Sequence, residues 1–184
     1  MENKALILVD LQNDYFSSFE NAKFELDKAE EASNNAAKLL KIFREKSMKI
    51  VHIRHEGSTF FIKGTEGSQI HKSVEPIENE IVITKNFPNS FLKTNLKEIL
   101  EESNIKSLII VGSMSHMCID ATTRAASDFG YKCTVVNDAT ATKELEFNGI
   151  KIPSKYVHAS FMAALEFAYA KIENTQDVIK GLNS

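Results

Sequence analysis

The feature that most constrains this chain is an unbroken apolar run near its start, Ala5-Leu6-Ile7-Leu8-Val9, ended abruptly by a carboxylate, Asp10. A strand with one face on a core alternates apolar and polar residues. A run without alternation implies burial on both faces, as in a parallel sheet covered by helices on either side. Lys49–His55 (KIVHIRH), Glu80–Lys85 (EIVITK), Leu108–Val111 (LIIV) and Lys132–Val136 (KCTVV) read as further strands, with Gly112 expected to stop the fourth. Between them the spacing predicts a helix over about 28–47, where Ala32, Ala36, Leu39, Leu40 and Phe43 recur three or four apart. Asn95–Ser103 and Met117–Phe129 also read as helices, the latter ended by Gly130. Ser154–Tyr169 is a strongly apolar helix with Val157, Phe161, Ala164, Leu165 and Ala168 on one stripe. Ala170–Glu173 reads as a short last strand, and Thr175 as the cap of a final helical turn. Strand–helix alternation implies right-handed crossovers, hence an α/β fold with a mostly parallel sheet between helices.

The 184 residues suit one domain spanning 1–184. With 22 Lys plus Arg against 25 Asp plus Glu, the net charge of −3 argues against nucleic acid as a partner. No apolar run approaches the roughly 20 residues of a membrane helix. The start, Met1-Glu2-Asn3-Lys4-Ala5, lacks the basic region of a signal peptide, so a cytoplasmic protein is expected. The two cysteines, Cys118 and Cys133, are then read as thiols.

In such sheets ligands bind beyond the carboxyl ends of the strands. That rule singles out Asp10, Arg54, His55, Lys85 and the turn from Gly112 to Cys118. Cys118 sits at the mouth of a helix, where partial positive charge and free N–H groups favour a thiolate and hold an oxyanion; most free cysteines are instead small buried hydrophobes. Asp10 could accept a thiol proton and pass it to a leaving amine, or simply cap a turn. Lys85 could lower the thiol's pKa through its charge and orient the carboxylate, or be a solvated lysine at a strand exit. Cys133, mid-strand among apolar neighbours, reads as core. His52 and His55 are three apart on a strand and point to opposite faces, so no metal site is expected. His116 reads as a base for Cys118 or as a polar wall. Phe16, Phe19, Phe60, Phe61, Phe87 and Phe91 fall in the loops after the first three strands and read as pocket lining, as core under those loops or as a subunit contact. Residues 56–79, with Gly57, Gly64, Gly67 and Pro76, form a long connection of the kind that serves as a lid or binding loop near an active site, or as a surface excursion.

Taken together, Leu8–Phe16 (LVDLQNDYF), Lys85 followed by Ser90-Phe91, Val111–Ala126 (VGSMSHMCIDATTRAA) and Asp138-Ala139 resemble the isochorismatase-like cysteine hydrolase superfamily, which includes nicotinamidases and related amidases. The resemblance covers nearly the whole chain. It implies a three-layer α/β/α sandwich with a six-stranded, Rossmann-like parallel sheet, assembled into a dimer or larger homo-oligomer. It also implies an Asp10–Lys85–Cys118 triad that cleaves a C–N bond of a small amide-like metabolite through a thioester. A cis peptide at Ser113–Met114 would aim backbone N–H groups of Met114 and Cys118 at the oxyanion. Metal-dependent nicotinamidases carry Asp-x-His after the second strand, where this chain has Arg54-His55-Glu56; a site without cofactor or metal is therefore expected. Arg54, His55, His116 and the loop phenylalanines are the expected substrate contacts. The alternatives are an isochorismatase-type vinyl-ether hydrolase that uses Asp10 without the thiol, and a non-catalytic binding or assembly protein of the same fold.

Overall fold

The computed structural model describes residues 3–183. In chain order the elements are β1 (Lys4–Val9), α1 (Ala29–Glu45), β2 (Lys49–His55), β3 (Ile81–Lys85), α2 (Leu96–Glu102), β4 (Ser107–Ser113), α3 (Asp120–Asp128), β5 (Lys132–Ala141), β6 (Leu145–Phe147), β7 (Ile150–Ile152), α4 (Ser154–Ala168), β8 (Ala170–Glu173) and α5 (Thr175–Asn183). One six-stranded sheet runs β3-β2-β1-β4-β5-β8, with every neighbouring pair parallel. Along β1, Leu6 and Leu8 enter one core, and Ala5, Ile7 and Val9 the other, which is why the run has no polar residue. The first core packs against α1 and α5 through Leu39, Leu40, Phe43 and Val178. The second packs against α2, α3 and α4 through Leu96, Leu100, Ala126, Met162 and Leu165. Each fully buried Leu or Phe contributes about 1.5–3 kcal/mol of transfer free energy. No helix among the described residues is long and apolar enough to cross a membrane.

Several boundaries differ from the sequence expectation. Gly112 does not end β4 but lies inside it, with φ +118. A Cβ there would sit 2.0 Å from the Val9 carbonyl oxygen, so glycine lets β1 and β4 approach closely. β5 runs on past Val136 to Ala141, because the pairing resumes after an irregularity: Ile110 faces Val135, but Gly112 faces Thr140. Asp138 within that stretch accepts from the N–H and hydroxyl of Thr175, so α5 is a full nine-residue helix capped from β5. The β6–β7 hairpin was not anticipated; Asn148 and Gly149, both at positive φ, turn it. On α4 the buried residues are Val157, Met162 and Leu165, whereas Ala164 and Ala168 are exposed and Phe161 is half-buried. Gly130 does end α3, with Gly130 N–H on Ser127 O and Tyr131 N–H on Ala126 O.

Candidate active site

Asp10 leaves β1 in a left-handed conformation (φ 51) and donates its N–H to Ile53 O. Asp tolerates that conformation better than most residues. On the neighbouring strands His55 is in register with Lys85. The Lys85 side chain is fully buried, and its ammonium donates to Asp10 Oδ2 at 2.7 Å, His55 Nδ1 at 2.9 Å and Cys118 Sγ at 3.3 Å. Its three protons thus find three acceptors, which fixes His55 as the tautomer protonated on Nε2. A buried lysine is normally driven toward neutrality; burial opposes this ammonium too, but Asp10 and Cys118 hold it above its usual value.

Cys118 lies in a single π turn, Ser115–Ile119, that precedes α3 and follows the cis peptide Ser113–Met114. Met117 and Ile119 both donate to Met114 O, so the helical region opens at Ser115 rather than Met117. The expected thiolate is not what the surroundings favour at rest. Burial first, then the Asp10 carboxylate, push the thiol well above its ordinary range, and Lys85 only partly offsets them. Asp10 Oδ1 is buried and has no hydrogen-bond partner. The site therefore sets a thiol held above its ordinary range beside the Asp10–Lys85 ion pair. Cys133, as expected, is core, pushed up to about 12 by burial.

Residues that the sequence reading passed over hold this arrangement. Buried Gln12 donates to His55 O and Ser68 O and accepts from His55 N–H, clamping the end of β2. Asp14 accepts from the N–H groups of Phe61 and Lys23, so the 56–79 connection is stitched down beside the site. Ser115 Oγ bonds His158 Nδ1 at 2.7 Å, and His158 Nε2 bonds Asn137 Oδ1 at 2.8 Å, tying the Cys118 turn to α4 and β5. The 43-residue gap between Ser115 and His158 left no local signal for that link.

The expected wall residues divide. His55 is in the centre of the site, lowered in basicity by burial and by Lys85. Phe61 and Phe60 pack around Tyr15, with Phe61 edge-on to it at 4.5 Å. Tyr15 is held above its usual range by burial, then by Asp10 and Cys118. Arg54 points to the other side of β2, against Thr84 and Glu56, because neighbouring strand residues alternate. Phe16 is core, stacked on His71 at 3.9 Å. Phe91 is buried against Phe129 and Tyr131. His116 bonds Thr142 Oγ1 at 2.6 Å, and Lys85 rather than His116 is the group on the sulfur.

Asp10, His55 and Cys118 offer metal-ligand atoms within 4.8 Å of one another. The Lys85 ammonium already donates to all three, so this donor set does not fit a metal ion without expelling that charge. A cavity of about 650 Å³ lies at the amino-terminal edge of the sheet among Lys4, Met48, Ile105 and Leu182, away from these groups. A cleft of about 610 Å³ borders His55, Gly57, Phe60 and Asn86 at the carboxyl edge. The amino-terminal cavity is lined by neither a thiol nor a carboxylate.

Residues 4–152 match the family described as the Isochorismatase domain. The chain is 47% identical over 180 residues to the uncharacterized isochorismatase family protein YddQ of Bacillus subtilis, covering 96% of this chain and 98% of that one. It is 50% identical to a candidate isochorismatase hydrolase from Oleispira antarctica, whose crystal structure superposes with a TM-score of 0.95 over 98% of each chain. A more distant relative, Nicotinamidase 3 of Arabidopsis thaliana, is 26% identical over 97% of this chain and 88% of that protein.

Proposed function

This chain belongs to the isochorismatase family, and from that premise we propose that it is a metal-independent thiol hydrolase cleaving a C–N bond of small amides. One observation carries the reading: the buried Lys85 ammonium lies 2.7 Å from a carboxylate and 3.3 Å from a thiol. In the proposed cycle the Cys118 S–H proton passes to Asp10, whose Oδ1 is free to receive it. The thiolate attacks the amide carbon, and backbone N–H groups of Met114 and Cys118 hold the oxyanion. Asp10 then returns its proton to the leaving nitrogen as the C–N bond breaks, leaving a thioester. A water gives a proton to Asp10 and attacks the thioester carbonyl; the sulfur leaves, recovers that proton, and a carboxylic acid is released. Lys85 stays charged throughout and offsets whichever of Asp10 and Cys118 bears the negative charge. Nicotinamidase 3, by name an amidase, supports the C–N bond class.

Released ammonia from a panel of small amides and ureides, with mass spectrometry of the protein, tests the proposal. Wild type should release ammonia and carry an acyl adduct on Cys118, and Cys118→Ala should do neither. Undiminished turnover in Cys118→Ala would sink it, and activity of that variant on a vinyl ether would favour Asp10 acting alone.

A further inference from the structure

Among the described residues Lys143, beside the turn that carries Cys118, has no carboxylate partner. The end of β5 pairs Ala141 with Ser113, and the next residue, Thr142, bonds His116. Lys143 follows, half-buried, its ammonium 4.0 Å from the centre of the Phe24 ring. Phe24 stacks on Phe60 at 4.5 Å and leans on Tyr15, which meets Phe61, which in turn neighbours His55. An aromatic wall thus runs from Lys143 to the imidazole on Lys85. Along it Asp10 is paired with Lys85, and Asp14, beneath the rings, takes the N–H groups of Phe61 and Lys23. Among the described residues Lys143 makes no ion pair. An ammonium held on a ring face is partly stripped of water, and it attracts an anion more strongly than a solvated lysine does.

We propose that Lys143 anchors a carboxylate of the substrate, so that the preferred substrates are small amides bearing a negative charge. This rests on the thiol-hydrolase reading of the site. Arg54, the sequence candidate for that task, faces away and is engaged by Glu56 and Thr84.

The test is the alkylation of Cys118 by iodoacetate and iodoacetamide, which share a reacting carbon and differ in charge. The readout is the ratio of the two rate constants on the Cys118 peptide at low salt, normalised to the same ratio for glutathione. Wild type should prefer iodoacetate by about fivefold, as one partly exposed ion pair would give. Lys143→Met, which keeps the apolar stem, should bring the ratio near unity, and Lys143→Arg should retain most of the preference. In wild type alone, raising salt to about 1 M, where screening acts within about 3 Å, should also erase it. A wild-type ratio near unity, or one unchanged in Lys143→Met, overturns the proposal. Alkylation requires no amide cleavage, so a charge preference in a protein that hydrolyses no amide would sink the hydrolase reading and leave the anion anchor intact.

Discussion

Replacing Asp10 by Asn should make the protein inactive and its thiol more reactive. The Asp10 and Cys118 ligand atoms lie within 4.8 Å of each other. At an effective dielectric of about 20, a unit charge at that range changes the cost of ionising the sulfur by about 3.5 kcal/mol. Allowing for relaxation, the thiol should titrate about two pH units lower in Asp10→Asn, since each unit is about 1.4 kcal/mol. The sign is fixed by the charges: the substitution removes the anion that opposes a thiolate and leaves the Lys85 ammonium that favours one. At pH 8 the thiolate fraction should rise about 100-fold, while amide turnover falls by about 10²–10⁴ for want of the proton acceptor. Iodoacetamide alkylation of Cys118 from pH 6 to 10 reads this directly, with buried Cys133 as the slow internal reference. Wild-type rates should still be climbing at the alkaline end. A slower Cys118 in Asp10→Asn at pH 8, or a wild-type rate that levels off below about 8.5, the ordinary thiol value, would refute the reasoning.

Glu80 takes Arg44 Nε at 2.7 Å, Arg44 Nη2 at 2.8 Å and His52 Nε2 at 2.9 Å. Although burial works against it, those donors and the Ile77 N–H hold its carboxyl down at about 2 instead of 4.5. Its stabilising contribution should be complete above about pH 4.5 and disappear as pH falls toward about 2. Glu80→Gln should therefore cost about 2–3 kcal/mol at neutral pH in denaturant melts, less than a fully buried pair because Arg44 is partly exposed, and flatten that acid slope. Gly112→Ala meets both a forbidding φ and the Val9 carbonyl; a loss of at least about 3 kcal/mol, or insoluble protein, is expected. Phe167, 91% exposed, and Tyr156 on α4, with Phe147 and Ile150 on the hairpin, leave apolar surface uncovered. Light scattering at micromolar concentration should give at least a dimer, and a monomeric mass would contradict this.

The strands were legible because burial on both faces writes itself as unbroken apolar runs. β5 was cut short because Asn137-Asp138-Ala139-Thr140 reads as a loop, and only its pairing with Gly112 and Ser113 makes those residues a strand. The hairpin was within reach, since Asn148-Gly149 between Phe147 and Ile150 is a strong turn signal. Asp10, Lys85 and Cys118 stood out as sheet-edge residues of complementary chemistry. Parity along β2 could have separated Arg54 from His55, for both cannot face one way. The state of the sulfur was beyond a linear reading, because a helix mouth lowers a thiol and burial raises it, and only packing decides between them. Lys143 and the Ser115–His158 link depend on encounters between distant segments and left no trace in spacing.

Lys85 reaches a carboxylate 75 residues before it and a sulfur 33 residues after it, across the four adjacent strands β3, β2, β1 and β4. No hairpin or single crossover contains all three groups. The cluster is thus a property of four of the six strands docked together, and a fold lacking any one of them does not bring the three groups into contact. The strand docking that buries the sulfur is the same docking that brings the carboxylate and the ammonium to it.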